Sequence, residues 1–306
     1  MELATQNQDA MISSAIVTPA GIQVARLSDQ RLHIIHGPIN LIVKANGQPS
    51  EVERAYDEAL HRVDGLLQGL VDELEILRSP NTVSDVAATE PTAVRMLAAR
   101  QRFGDRFVTP MAAVAGAVAD EIVNAMKSVA DLDKIFVNNG GDISVHLAPK
   151  QVLRIGIVSS LSDPSPSASL LLASNDGING IATSGWDGHS MSLGIADAVT
   201  ALASTAADAD MAATLIANEI NVDSPGIRRC AASTLDPDSD LVDQAVTIAV
   251  GQLDNDVIDT ALEKGVKYAE NLVTEGHIVG AMLFLQGHHR VVGRPTLIGQ
   301  IDEQDS

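Results

Sequence analysis

The chain has 306 residues, of which 45% are apolar and only 2% aromatic, so its core must consist mainly of Ala, Val, Ile and Leu. Its formal net charge is −20, from 40 acidic and 20 basic residues, which argues against nucleic-acid binding because that needs basic surface to displace counterions from phosphates. The same charge argues against docking on anionic lipid. A nucleotide ligand stays compatible with it if a metal ion or backbone N–H groups offset the charge locally.

Targeting and membrane signals are missing from the sequence. A single cysteine, Cys230, rules out an intramolecular disulfide and suits a reducing compartment. We find no apolar window of about 18 residues or more, so no spanning helix is expected. The stretch "MELATQNQDAMISSAIVTP" has neither the basic start nor the apolar centre of a signal peptide. We therefore predict a cytoplasmic protein without membrane contact, with a flexible tail over residues 1–20.

The N-terminal half begins with extended runs and continues with helices. "AGIQVARL" and "RLHIIHGPINLIVKANG" are rich in β-branched residues and contain Gly-Pro and Asn-Gly turn signals, which predicts a hairpin or meander. Apolar residues then recur at spacings of three and four from Val52 to Leu74, which predicts one long helix. Ser50 and Glu53 have the spacing of a capping box for it. Residues 84–104 are also predicted to be helical.

A further helix is predicted for "VTPMAAVAGAVADEIVNAMKSVA", with Thr109 as N-cap and Pro110 at the first position. Its first two turns carry only small side chains. Either another backbone or a ligand must therefore approach the start of this helix closely.

The C-terminal half alternates short strands with two helices, over about 206–220 and 256–274. Neighbouring segments are mostly strand and strand, which favours an α+β fold with antiparallel sheets flanked by helices over a doubly wound parallel sheet. No repeat or low-complexity linker interrupts the chain, so we expect a single two-lobed domain over 21–300. The predicted strands are "KIFVNNGGDISVHLA", "VLRIGIVS", "SASLLLAS", "GINGIATSG" and "AVTIAVG", followed by a final strand or hairpin in "HIVGAMLFLQGHHRVVG".

Two segments concentrate groups that could bind a ligand. "NNGGDIS", 138–144, is either a tight turn that uses glycine for positive φ or a close approach of backbone to a flat or phosphorylated ligand, with Asp142 receiving a hydroxyl or amine. It is not a Rossmann fingerprint, because G-x-G-x-x-G is absent. "GIATSGWDGHSMSLG", 180–194, is either an irregular surface loop or a ligand-binding loop. It lacks a G-x-S-x-G elbow, so a serine hydrolase has little support.

The segment "ADADMAAT", 207–214, also has two interpretations. In the first, Asp208 is an N-cap and Asp210 a first-turn acid that the helix dipole favours. In the second, Asp210 and Thr214, at i and i+4, project from one helix face as hard-oxygen ligands for Mg²⁺. The adjacent His288 and His289 are a weaker metal signal, because neighbours on a strand point to opposite faces.

Four motifs in this order resemble the ApbE-like superfamily, whose characterised members are Mg²⁺-dependent FAD:protein FMN transferases. The resemblance covers about residues 110–220 well and extends more loosely to the N-terminal strands and helix. The motifs are "MAAVAGAVAD" at 111–120, "NNGGDIS" at 138–144, "IATSG" at 181–185 and "ADMAAT" at 209–214.

The resemblance implies a metal site and a flavin pocket. Asp210 and Thr214 would ligate Mg²⁺ together with the backbone carbonyl of Ala112. Asp210 and His189 would be the catalytic residues, with His189 as general base because its ordinary pKa suits that role near neutrality. The residues that would line the pocket for the flavin nucleotide, FAD, are Asn139, Gly140, Gly141, Asp142, Thr183 and Ser184.

Two departures separate this chain from the transferases proper. Ala115 stands where many of them have a lysine, and the H-I-x-x-P-x-T-G stretch is missing, with only His189 as a counterpart. The chain therefore resembles another branch of the superfamily. Three functions are weighed: an enzyme that cleaves FAD and transfers FMN to a hydroxyl or water, a non-catalytic flavin- or nucleotide-binding protein, and an unrelated small-molecule enzyme that reuses the pocket. The sequence identifies neither the acceptor of the FMN group nor the oligomeric state, and a homo-oligomer is compatible with it.

Overall fold

The structure is a computed structural model that describes residues 12–80, 88–104, 106–160, 166–188, 190–294 and 298–300. Strands make up most of its regular elements. They are β1 Ile12–Val17, β2 Gln23–Leu27, β3 Leu32–His36, β4 Ile39–Gly47, β5 Leu132–Asn139, β6 Asp142–Leu147, β7 Val152–Val158, β8 Pro166–Ala173, β9 Gly180–Ser184, β10 Ala198–Ala203, β11 Ile227–Ala231, β12 Ala245–Val250, β13 Gly280–Leu285, β14 His288–Gly293 and β15 Ile298–Gln300.

The helices lie in two stretches of the chain, between β4 and β5 and between β10 and β13. A short 3₁₀ helix, Pro110–Ala113, leads directly into the fifth α-helix. The α-helices are α1 Pro49–Val63, α2 Leu66–Asp72, α3 Leu74–Leu77, α4 Pro91–Arg102, α5 Val114–Val129, α6 Ala206–Glu219, α7 Ala232–Leu235 and α8 Asn255–Thr274.

Ten strands form one antiparallel sheet in the order β1-β2-β3-β4-β5-β6-β9-β10-β13-β14. The predicted N-terminal meander is confirmed as β2–β4, and the predicted closing hairpin as β13–β14. Two smaller sheets are formed by β11–β12 and by β15-β8-β7. The expected α+β architecture with antiparallel sheet is thereby confirmed. Strand β1 begins inside the predicted tail, of which residues 1–11 lie outside the described part of the chain.

The large sheet has a buried layer on each face. On one face the helices α1, α5, α6 and α8 cover it, and alternation along β4 buries Ile39, Leu41, Val43 and Ala45 against them. On the other face, Ile143 and other apolar residues of the central strands pack with the β7–β8 sheet in a second, smaller core. The central strands are therefore covered on both sides, which leaves strand ends and helix starts as the places where a ligand can reach the sheet.

Several local predictions were wrong. The long helix ends at Val63, because Gly65 adopts φ 85° and turns the chain before α2. The Ser50–Glu53 capping box does not form: Gln48 is the N-cap of α1, without a side-chain bond, and Glu53 pairs with Arg26 at 2.7 Å.

Two predicted N-caps also need correction. Thr109 does occupy the N-cap position of the 3₁₀ helix, but its hydroxyl donates to the carboxylate of Asp240 and does not cap the helix. Asp208 is not the N-cap of α6. That position belongs to Thr205, whose hydroxyl accepts from the Asp208 amide at 3.1 Å, while the buried Asp208 carboxylate pairs with Arg102 at 2.9 Å.

Candidate functional site

Hydrogen bonds to two carboxylates, those of Asp120 and Asp210, join the N-terminal ends of α5 and α6. Asp120 of α5 accepts from the amides of Ala206 and Ala207, the first residues of α6, at 3.1 and 3.0 Å. Asp210 of α6 accepts from the Gly116 amide in the first turn of α5 at 3.0 Å. Each acid therefore satisfies amides that a helix start leaves without an intrahelical partner, and each lies where the helix dipole favours a negative charge.

The small residues of the α5 start permit this arrangement. A Cβ added to Gly116 would lie 2.2 Å from the carbonyl oxygen of Ala206. The close neighbour that the sequence required at this helix start is therefore the backbone of α6.

Burial raises the pKa values of two acids at this junction, Asp210 and Asp142. Burial, and then the negative charge of Asp142, raise the pKa of Asp210 well above its usual range, although the amides of Gly116 and Ala115 oppose the shift. Burial also raises the pKa of Asp142 to about 7, against a hydrogen bond from the Thr183 amide at 3.2 Å. The site is thus an anionic notch whose charge a cation or a proton would relieve.

The predicted glycine turn joins β5 to β6 beside these acids. Gly140 and Gly141 have φ of 66° and 118°, and Asn139 pairs with Asp142 across the two-residue loop. A Cβ added to either residue would meet nothing within 4 Å, so lack of space does not explain the two glycines. Their positive φ does, because glycine adopts it without steric cost. The turn explains both glycines and leaves the space beside them open.

Asn139 joins three elements and lies buried at the end of β5. Its amide nitrogen donates to the Ala115 carbonyl at 3.2 Å, and its amide oxygen accepts from the Asn40 amide at 3.2 Å. It thereby fixes the end of β5 to the start of α5 and to β4. Its side-chain amide is already engaged within the fold.

The two pocket residues predicted on β9 lie on opposite faces of the sheet. Thr183 and Ile181 alternate onto the face of the smaller core, where the Thr183 hydroxyl bonds that of Thr200 at 2.9 Å. Ser184 follows Ala182 onto the helix-covered face, the face of Asp142. Thr183 therefore contacts Asp142 through its backbone amide only, whereas the Ser184 side chain points to the same face of the sheet as Asp142.

Thr214 lies one turn after Asp210 on the same face of α6 and is half-buried. Its hydroxyl makes no hydrogen bond with the residues that the structure describes. Helix α6 packs against the 3₁₀ helix that contains Ala112. The three residues predicted for the metal thus lie on neighbouring elements and carry the oxygen types that Mg²⁺ prefers.

None of the three histidines predicted as functional, His189, His288 and His289, is placed beside Asp210 in the described part of the chain. His189 lies outside the described residues. His288 contacts Asp259 at 3.5 Å on the far edge of the sheet, and its neighbour His289 is exposed. Within the described residues, no group of three His, Cys, Asp or Glu side chains converges as a metal site.

Sequence reasoning missed the role of Asp120 and of Ser144. The buried Ser144 hydroxyl donates to Asp120 at 2.7 Å, and burial raises the pKa of Asp120 although Ala207, Ser144 and Ala206 donate to it. An acid in the otherwise apolar "AGAVAD" run was the available signal, since buried carboxylates need partners.

Comparison with known proteins defines the family. A family model described as "AbpE bacteria" matches residues 24–291, so the chain belongs to this family, as the motifs predicted. A UPF0280 protein of Methanopyrus kandleri is 30% identical over 220 residues, covering 71% of this chain and 86% of that protein. A UPF0280 protein of Methanothermobacter thermautotrophicus is 31% identical over 215 residues, covering 70% and 68%.

Solved structures of ApbE proteins are more distant. The ApbE protein of Thermotoga maritima has a TM-score of 0.46 and 12% identity, covering 92% of this chain and 97% of that one. The flavinyl transferase ApbE of Pseudomonas stutzeri, in its apo form, has a TM-score of 0.41 and 13% identity, covering 94% and 97%. Among the described residues, no helix combines the length and apolarity that crossing a membrane requires.

Proposed function

We propose that this protein is a Mg²⁺-dependent flavin-nucleotide enzyme that cleaves the diphosphate of FAD and passes FMN to a hydroxyl group or to water. The observation that carries the proposal is the position of Asp210. Its half-buried carboxylate lies at the start of α5 beside Asp142, with the unpaired hydroxyl of Thr214 one helical turn away.

The residues present fit the metal. Asp210, Thr214 and the carbonyl of Ala112 would hold it, and all three are hard oxygen donors. The charge of Asp142 disfavours that of Asp210, and the amides of Gly116 and Ala115 offset this only in part, so a divalent cation would relieve the remaining cost. When bound, Mg²⁺ would neutralise negative charge that develops on the diphosphate.

The chain's own residues would bind and orient the nucleotide. The open Gly140–Gly141 turn admits a flat or phosphorylated group against the backbone, and Asp142 and Ser184 face the same side of the sheet. In the transfer, the acceptor oxygen forms a bond to the phosphorus of FMN as the bond to AMP breaks. His189 would take the proton of the attacking hydroxyl or water.

Release of AMP from FAD tests this proposal. We expect release with Mg²⁺ and none with EDTA. In Asp210→Asn it should fall by about 100-fold or more, because loss of outer-shell partners of a metal alone costs about 10–100-fold. The matched control is Glu219→Gln at the other end of α6, where the carboxylate pairs only with Arg106 at the surface. If the wild type binds FAD with Mg²⁺ and releases no AMP, the catalytic proposal is wrong.

A second candidate, a non-catalytic flavin-binding protein, is favoured by one observation. Ala115, which stands where many transferases have a lysine, lies at the centre of the site, with its amide toward Asp210 and its carbonyl bonded to Asn139. If the diphosphate binds beside Asp210 as proposed, the lysine side chain that this chain lacks would have lain next to it. Tight, Mg²⁺-dependent FAD binding without turnover is the result that this candidate predicts.

A further inference from the structure

A cavity of about 440 Å³ opens at the C-terminal end of α6, away from the Asp210 end of the same helix. Its volume lies within the roughly 300–1,000 Å³ of small-molecule sites. The walls come from four parts of the fold: the loop before β10, the residues after α6, the β11–β12 sheet and α8. Residues that line it include Leu193, Asn221, Arg229, Gln244 and Lys264.

The cavity presents two cations in a strongly acidic chain. Arg229 and Lys264 both line it, and neither has a carboxylate partner among the described residues, in contrast to Arg62 and Arg102. Asp223 also lines the cavity and is exposed, but it forms no ion pair with either cation. The positive charge of these two side chains is therefore available to a ligand.

Asn221 holds both cations in place. Its side-chain oxygen accepts from Nη2 of Arg229, and its backbone carbonyl accepts from Nζ of Lys264 at 2.8 Å. Its own side-chain nitrogen donates to the Leu193 carbonyl at 2.7 Å. A guanidinium has five N–H donors and an ammonium three. Nη2 of Arg229 also faces the Val222 carbonyl at 3.5 Å. Nε and Nη1 of Arg229, which lie on different edges of the guanidinium, and two donors of Lys264 therefore remain for a bound group.

An unpaired hydroxyl lies next to Arg229. Thr247 is its cross-strand partner on β12, so both side chains project from the same face. The Thr247 hydroxyl is buried and makes no hydrogen bond with the described residues. A buried polar group without a partner destabilises the fold. Thr247 does not itself line the cavity, whose charged donors are Arg229 and Lys264.

We propose that this cavity binds a small molecule through an oxyanion, either a phosphate or a carboxylate group. Nε or Nη1 of Arg229 can donate a charge-assisted hydrogen bond to an oxygen of such a group, and Lys264 adds a point charge. Leu193, Val222 and Ala245 supply apolar wall for the rest of the molecule. This site is separate from the proposed flavin site and independent of it.

Calorimetric titration with inorganic phosphate and with succinate tests the proposal, at constant ionic strength set by chloride. The protein is first freed of metal with EDTA, which is then removed by dialysis because it is itself a carboxylate, so that metal-held phosphate near Asp210 contributes nothing. We expect binding that weakens about tenfold or more in Arg229→Gln and in Lys264→Gln. The matched controls are Arg228→Gln, the exposed strand neighbour, and Lys267→Gln, one turn further along exposed α8, which should bind as the wild type does.

The two probes separate the sources of the oxyanion. Binding of phosphate alone assigns a phosphate-bearing ligand, and binding of succinate alone assigns a carboxylate. Since Lys264 is exposed on α8, Lys264→Gln will fold even if Arg229→Gln does not. Absence of binding by both probes, or binding that both cavity variants leave unchanged, would overturn the proposal. Neither result bears on FAD cleavage.

Discussion

Asp120 and Asp210 cap each other's helices. Asp120 accepts from the first two amides of α6, and Asp210 accepts from the Gly116 amide in the first turn of α5. The arrangement brings two acids into a junction where burial raises both pKa values. These hydrogen bonds fix α6, which carries Asp210 and Thr214, against α5. Interactions that orient the ligands in this way support a metal site.

Gly116→Ala should destabilise the protein by about 3 kcal/mol or more. The new methyl group would lie 2.2 Å from a backbone oxygen, so α5 and α6 would have to separate. Urea unfolding measures the change. Gly226→Ala is the control, because its Cβ would meet nothing closer than 3.8 Å, and we expect a change within about 0.5 kcal/mol. Equal stability of the two variants would contradict the close approach of the helices.

Asp120→Ala should cost about 2–4 kcal/mol. It leaves the amides of Ala206 and Ala207 and the Ser144 hydroxyl without their acceptor in a buried junction. Thr205→Ala, which removes the ordinary N-cap of α6, should cost only about 1 kcal/mol. Hydrogen exchange at the two amides should accelerate more in the first variant. The opposite order would show that Thr205 and not Asp120 anchors α6.

The pH dependence of stability should report Glu121. Burial raises its pKa, but hydrogen bonds from Arg62 and Arg95 outweigh burial and lower it below the usual 4.5. A lowered pKa in the folded state means that ionised Glu121 stabilises the fold above that range, and that this stabilisation disappears as the pH falls through the lowered value.

Glu121→Gln should therefore be about 2–3 kcal/mol less stable than the wild type at pH 7, because it breaks a largely buried pair. The difference should shrink as the pH falls below about 4.5. Denaturant unfolding across that range measures it. Glu263→Gln, at an exposed pair with Arg290, should differ by less than about 1 kcal/mol throughout. A pH-independent gap for Glu121→Gln would rule out its ionisation as the cause.

Thr214→Val should weaken Mn²⁺ binding in the presence of FAD by about tenfold, since valine keeps the shape of threonine and loses the oxygen donor. Thr214→Ser should retain the wild-type affinity. The paramagnetic signal of free Mn²⁺ measures both. Thr260→Val is the control, because that exposed hydroxyl of α8 bonds only its own helix at Asp256. Loss of affinity in both Thr214 variants would indicate a packing role for this residue.

Sequence patterns within single elements and turns predicted much of the fold. Alternation along β4 and the Asn139–Asp142 turn chemistry placed the meander and the central hairpin, and the helix over 206–220 ends within one residue of Glu219. Local signals failed where a distant partner decided the outcome. Ser50 and Glu53 have capping-box spacing, but Arg26 attracts Glu53 away from the helix start.

The candidate site was predictable only in part, for the same reason. The motif "ADMAAT" marked Asp210 and Thr214, and the helical period put them on one face. That Asp120 would cap α6 could not be read from spacing, because 86 residues separate it from Ala206. Thr183 and Ser184 must point to opposite faces because neighbours on a strand alternate, but which of them shares the face of Asp142 follows from the pairing of β9 with β6 and β10, which no local pattern determines.

A crystal structure with FAD and Mn²⁺, recorded at the manganese absorption edge, tests the central claim most directly. The account predicts one anomalous peak bound to the Asp210 carboxylate, the Thr214 hydroxyl and the Ala112 carbonyl, with the FAD diphosphate completing its coordination and the flavin reaching the Gly140–Gly141 turn. A manganese peak or a diphosphate bound elsewhere, with the Asp210 carboxylate still occupied only by the α5 amides, would contradict it.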